Sequence, residues 1–243
     1  MLLHLYSPFI CTANSNFVLL RLVYMLHDAT LQFIEQLSKN NNKPWFDAHR
    51  DQYATAKADF EEFVTELMQK LIPLEPALAD QNAKDSIFRI FRDVRFSKDK
   101  TPYKGHFGVY LSKGGRKYPG AGYYLHIESG NKSFIGGGLW MPESALLKAV
   151  RQEIDYNFDE FKGIINNKKF KKLFSKIEGE TLKTPPQGYT SDNPAIEYLK
   201  LKSFIAGHSL ADAELTDKDL AARCIDVFKT MKPFVDFLNR PMD

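Results

Sequence analysis

Cysteine is nearly absent from this chain. Cys11 and Cys224 are the only two in 243 residues, and they form no CxxC pair. Neither has histidine or cysteine neighbours at the spacing that zinc sites use. The sequence therefore excludes a disulfide-rich secreted scaffold and predicts a protein of a reducing compartment, the cytoplasm.

Long hydrophobic runs are also missing. A bilayer span needs roughly 20 apolar residues, whereas the most apolar run, 17–26, is interrupted by Arg21. A signal peptide is a less favoured alternative, because no Lys or Arg precedes the first apolar run and Ser7-Pro8 breaks it. We expect no membrane association. We expect residues 1–25 to be a leader, either disordered or upstream of the true start, and residues 26–243 to form one domain.

No sign of charge dominates. The chain has 33 Lys and Arg against 30 Asp and Glu, with 44% hydrophobic and 26% charged residues. This balance is typical of a folded globular protein and excludes a disordered or collagen-like chain. The sequence pI of 8.6 lies below the value of about 9 that is typical of nucleic-acid-binding domains.

The hydrophobic period changes twice along the chain. Steps of three and four predict a helix near residue 30 and a longer helix over 44–72. Apolar residues then alternate with polar ones, which predicts strands at 86–96, 106–111, 121–128 and 133–140, with one more at 203–208. Helical patterns return after Pro142, including one over 158–177 and a last one after Thr216. Short turns between strands require antiparallel neighbours, so the fold class is α+β: an antiparallel β-sheet packed by N-terminal and C-terminal helices.

Positive charge is concentrated in residues 84–117, which hold ten Lys or Arg and only three Asp. In a regular strand Arg92 would fall on the apolar face, so either a bulge redirects it or a carboxylate meets it. Asp93 lies between arginines and can hold either Arg89 or Arg95 in a bidentate pair.

The same region carries a family resemblance. FRIFRDVRFSKDKTPYKGHFG, at 88–108, resembles the hallmark of a bacterial family of conserved hypothetical proteins, domain-of-unknown-function family 2461. NNNKPWFDAHRDQY at 40–53, GGGLWMP at 136–142 and AIEYLKLKSF at 195–204 fit the same family. The resemblance covers about 26–240 and implies a single intracellular domain of unknown activity.

Guanidinium and ammonium groups recognise phosphate, so our first hypothesis is that a basic strand-turn-strand element binds an anionic, phosphate-bearing small molecule or a nucleic acid. The candidate ligand-binding residues are Arg89, Arg92, Asp93, Arg95, Lys98, Asp99, Lys100, Tyr103, Lys104 and His106.

An enzyme is the second hypothesis, using Asp93 or Asp99 with Tyr103 and His106. A carboxylate among cations is a poor general base, so His106 or His126 is the better proton carrier. No nucleophile elbow, HExxH or P-loop occurs, so the reaction stays open, and we expect neither a cofactor nor a metal. The third hypothesis is a protein-interaction domain without catalysis.

Overall fold

The computed structural model describes residues 25–242. The expected leader, apart from Met25, lies outside these residues. The helices are α1 (Asp28–Lys39), α2 (Lys43–Ala48), α3 (Arg50–Leu71), α4 (Ala83–Ser86), α5 (Ser144–Tyr156), α6 (Phe158–Ile165), α7 (Lys168–Leu173), α8 (Ile196–Leu199), α9 (Asp212–Leu215) and α10 (Leu220–Asn239). The strands are β1 (Phe107–Leu111), β2 (Gly122–Ile127), β3 (Ser133–Leu139) and β4 (Phe204–Leu210). None of the helices in this part of the chain is long and apolar enough to cross a membrane.

The four strands form one sheet in the order β1-β2-β3-β4, with every neighbouring pair antiparallel. The loop 112–121 joins β1 to β2 and the short turn 128–132 joins β2 to β3, whereas β4 returns to the edge after helices α5 to α8. The expected α+β class is confirmed, and so are the four strands expected near these positions.

Helices α3 and α10 cover one face of the sheet. In β2 the buried residues Tyr123, Leu125 and Ile127 alternate toward that face. The ring of Tyr123 lies 4.9 Å from Phe228 on α10, and in the same layer α3 packs against β1. Burying each such large apolar side chain stabilises the fold by about 1.5–3 kcal/mol.

The expected continuous helix over 44–72 is wrong, because the chain leaves the helix at His49. That residue has φ −118° and ψ 24°, its ring stacks on Trp45 at 4.0 Å, and its Nδ1–H donates to the Trp45 carbonyl at 2.7 Å. A side chain that occupies a helix carbonyl competes with the backbone ladder, so α2 ends and α3 begins there.

The expected helix over 158–177 is also divided. Helix α6 ends at Ile165, and the side chain of Asn167 accepts the Lys169 N–H at 2.9 Å. An asparagine at this position is a favourable N-cap, so a second helix, α7, starts immediately afterwards.

The expected strand over 86–96 is replaced by irregular chain. Only two isolated bridges form there, Ile87 to Val109 and Phe91 to Tyr103. The expected shared face of alternating residues does not exist, because Ile90 is 1% exposed whereas Phe96 is 96% exposed. Ion pairs and hydrogen bonds within the loop 91–101 take the place of sheet hydrogen bonds, as described below.

Candidate functional site

The face of the sheet opposite the helices carries polar and aromatic side chains. Residues Tyr124, His126 and Glu128 alternate with the buried core positions of β2 and so point to this second face. The ring of His126 stacks on Phe134 of β3 at 4.8 Å, with 16° between the planes. We call this surface the open face.

Two histidines and a glutamate meet on the open face. Because Phe107 pairs with Ile127 and Gly108 with His126, the same register continued by one residue places His106 opposite Glu128. The rings of His106 and His126 are 4.1 Å apart, and His126 Nε2 lies 2.9 Å from Glu128 Oε2. The sheet register, rather than any local motif, assembles this group.

Both imidazoles are neutral at pH 7. Burial lowers the pKa of His106 to about 4, and the nearby His126 and Lys104 add to the effect while Glu128 opposes it. Burial also lowers the pKa of His126, although its hydrogen bond to Glu128 acts in the other direction. Neutral imidazoles keep a lone pair that can accept a proton or a metal ion.

Cationic side chains surround Phe88 beside this group. Lys104 Nζ lies 5.0 Å from the centre of the Phe88 ring and the Arg116 guanidinium carbon lies 5.6 Å from it. Burial lowers the pKa of Lys104, and the charges of Arg89 and Arg116 lower it further. Within residues 25–242 no carboxylate forms an ion pair with Lys104 or Arg116. We call Arg89, Lys104 and Arg116 the cation cluster.

Other expected site residues are engaged inside the loop 91–101. Arg92 pairs with Asp99, and its guanidinium also donates to the Thr101 carbonyl at 3.2 Å. Hydrogen bonds from the Thr101 backbone N–H, the Arg92 guanidinium and the Thr101 hydroxyl lower the pKa of Asp99 to about 2. The carboxylate expected to meet Arg92 is therefore Asp99, seven residues further along the chain.

Asp93 holds Arg95 rather than Arg89, through two hydrogen bonds of 3.0 and 2.7 Å. The Arg95 hydrogen bonds are the main cause that lowers the Asp93 pKa. Lys100 Nζ donates to the Val94 carbonyl at 2.9 Å, and Lys98 is exposed. Arg95 and Lys100 are therefore held within the loop, by Asp93 and by the Val94 carbonyl.

Tyr103 faces the protein interior. Its ring is 5% exposed and stacks on Phe46 at 4.1 Å. Among the ten expected residues, the structure thus brings together Arg89, Lys104 and His106. It adds five that were not expected as ligand-binding residues: Phe88, Arg116, Tyr124, His126 and Glu128. Of these, His126 was expected only as a proton carrier.

The signal for Glu128 was present in the sequence but incomplete. The sequence predicts strands at 106–111 and 121–128, yet pairing His106 with Glu128 requires their register. Arg116 lies in the turn between those strands, and its proximity to Lys104 depends on the path of that turn.

The fold and this surface define an α+β protein with one helix-covered sheet face and one face lined by imidazole, aromatic and cationic groups. Residues 29–237 match the sequence model of the conserved hypothetical protein family DUF2461. The chain belongs to this family. No curated protein and no solved structure matches it.

Proposed function

We propose that this protein binds a phosphate-bearing small molecule at the cation cluster on the open face. The observation that carries the proposal is the half-buried Lys104 ammonium, which lies near two guanidinium groups and has no carboxylate partner among the described residues. Bringing like charges together in a partly desolvated place costs free energy, and a bound anion offsets that cost.

The chemistry of the cluster suits phosphate. Guanidinium groups form paired hydrogen bonds to phosphate oxygens, whereas an ammonium acts as a point charge. The rings of Phe88 and Tyr124, whose centres are 6.1 Å apart, offer apolar and aromatic surface next to those charges. An organic phosphate with a flat group, such as a nucleotide, matches this combination.

A small ligand fits better than a long nucleic acid. Several of the other cations in residues 84–117 are held within the loop 91–101, so the unneutralised charge is local. A net charge of +3 for the whole chain provides little long-range attraction for a polyanion. We place this function in one domain, residues 26–243, and in the cytoplasm, which the buried free thiol of Cys224 suits.

Calorimetric titration with pyrophosphate and with ADP, in buffer containing a chelator, tests the proposal. We expect measurable binding that weakens as the salt concentration rises from about 50 to 200 mM. Lys104→Gln and Arg116→Gln should each weaken binding about tenfold or more, because each removes a charge-assisted contact.

Arg95→Gln is the matched control. It removes an arginine charge from the same basic segment, but that charge is already held by Asp93, so the affinity should stay within about twofold. Binding that is equally sensitive to Arg95→Gln and to Lys104→Gln contradicts the proposal, and so does the absence of binding at millimolar ligand. Circular dichroism of each variant verifies that the fold is kept.

A further inference from the structure

We propose that His106, His126 and Glu128 form a binding site for one divalent transition-metal ion. The site offers two imidazole nitrogens and one carboxylate oxygen from paired strands of the open face. It uses a different set of side chains from the cation cluster, so it stands whether or not phosphate binds there.

The geometry is close to that of a coordination site. One ligand atom from each side chain lies within 4.8 Å of the others. Donors held about 2.1 Å from a metal lie no more than about 4.2 Å apart, so closing the set takes roughly 1 Å of side-chain movement. Because His106 and Glu128 flank a regular β1-β2 pairing, the backbone already holds them in position.

Neighbouring groups orient the ligands. Tyr124 Oη lies 3.3 Å from His126 Nδ1. When the ring proton sits on Nδ1, the tyrosine oxygen accepts it and Nε2 presents its lone pair to an ion. Without metal, Nε2 carries the proton and donates to Glu128, so coordination through Nε2 requires a change of tautomer in the same ring.

Glu128 is held from its other side. Its backbone N–H donates to the Ser133 hydroxyl at 2.8 Å, and that hydroxyl donates back to the Glu128 carbonyl at 2.8 Å. Lys132 Nζ binds Oε1 at 3.0 Å, and Oε2 contacts His126 Nε2. Partners of this kind, one step away from the ligands, raise metal affinity by fixing their orientation.

The donor set indicates the class of ion. Imidazole nitrogen favours zinc, cobalt, nickel, iron and copper over magnesium and calcium, which prefer oxygen alone. Three protein ligands leave at least one coordination position for water or for an oxygen atom of another molecule. The ion would therefore keep a position for a further ligand, unlike a structural zinc with four protein ligands.

Cobalt and zinc titrations of the full chain test this site. The protein is treated with a chelator, transferred to phosphate-free buffer and titrated with Co²⁺ by visible absorption and with Zn²⁺ by calorimetry. We expect one ion per chain. His106→Gln and Glu128→Gln should each weaken binding at least about tenfold, since each removes a ligand.

His208→Gln is the control, because His208 lies in β4 of the same sheet but outside the cluster, with its ring near the Leu173 carbonyl. It should leave the affinity unchanged within about twofold. Binding of less than one ion per chain overturns the proposal. So does binding by His106→Gln or Glu128→Gln that is as tight as binding by the unchanged protein. Melting curves of the variants without metal show that they fold, and Glu128→Gln keeps the shape of the side chain. The phosphate titration contains a chelator, and the metal titration contains no phosphate. The proposed phosphate site and the proposed metal site are therefore tested independently.

Discussion

Gly138 sits where β3 approaches β4 most tightly. Its φ is +121°, a backbone conformation that side chains rarely adopt, and an added Cβ would lie 2.0 Å from the Phe204 carbonyl oxygen. Backbone of the neighbouring strand cannot move aside without losing sheet hydrogen bonds. The position therefore requires glycine for both conformational and steric reasons.

We predict that Gly138→Ala lowers the free energy of unfolding by more than about 1 kcal/mol. Gly207→Ala is the matched substitution on β4, where an added Cβ meets nothing within 4 Å, and it should change stability by less than about 0.5 kcal/mol. Urea unfolding followed by circular dichroism measures both. Equal effects of the two changes would show that the close contact at Gly138 has been misjudged.

At the scale of elements, Asp59 fastens α1 to α3. It lies within α3 and is 5% exposed. Its carboxylate accepts hydrogen bonds from the backbone N–H of His27 at 3.1 Å and from the hydroxyl of Thr30. Because His27 is the N-cap residue of α1, one side chain satisfies the start of a helix 32 residues earlier.

We predict that Asp59→Ala destabilises the protein by about 1–3 kcal/mol, since it removes the acceptor of the buried Thr30 hydroxyl and of the His27 N–H. Glu62→Ala, which removes an exposed carboxylate from the same helix, is the control and should cost less than about 0.5 kcal/mol. Hydrogen exchange should locate the loss of protection in α1. A uniform loss across all elements would argue against a local fastening role.

Much of the element pattern was readable from the sequence. Tyr123, Leu125 and Ile127 alternate with polar neighbours, and that period identifies β2 whatever surrounds it. The alternating pattern of apolar and charged residues at 86–96 wrongly predicted a strand. Arg92 and Arg95 alternate with apolar residues there, but they pair with Asp99 and Asp93 within a loop. A pattern of alternating residues does not distinguish a sheet face from a loop that neutralises its own charges.

The candidate site was less accessible to sequence reasoning. Lys104 and His106 lie in the basic segment and were expected to take part. Glu128 and Arg116 join them only through the register and path of the β1-β2 hairpin, which no single segment encodes. The sequence pattern therefore identified Lys104 and His106, whereas Arg116 and Glu128 are identified only from the tertiary structure.

At the scale of the whole molecule, the reactivity of Cys224 is a probe of how tightly the core is packed. It lies in α10 with no exposed surface, and burial raises the pKa of its thiol to about 12. A thiol that is both inaccessible and protonated at neutral pH is unreactive. Because the unfolded thiol ionises near pH 9, this shift also means that the free energy of unfolding falls as the pH rises from 9 toward 12.

We predict that, in a Cys11→Ser background, Cys224 reacts with a thiol reagent at pH 8 at least about a thousandfold more slowly in the folded protein than in guanidinium. The reaction then requires opening of the helix layer on the sheet. Labelling rates measured against urea concentration test this. Rapid labelling of the native protein would mean that α10 separates from the sheet far more easily than its packing implies.

The division of the sheet into a helix-covered face and an open face has a consequence for how this protein tolerates change. Neighbouring residues of one strand are under different constraints: those beneath α10 fill the hydrophobic core, whereas those on the far side carry phenol, imidazole and carboxylate groups. Substitutions at Tyr123, Leu125 and Ile127 should therefore be limited by side-chain volume, and those at Tyr124, His126 and Glu128 by side-chain chemistry. New ligand preferences can arise on such a surface without disturbing the hydrophobic layer behind it.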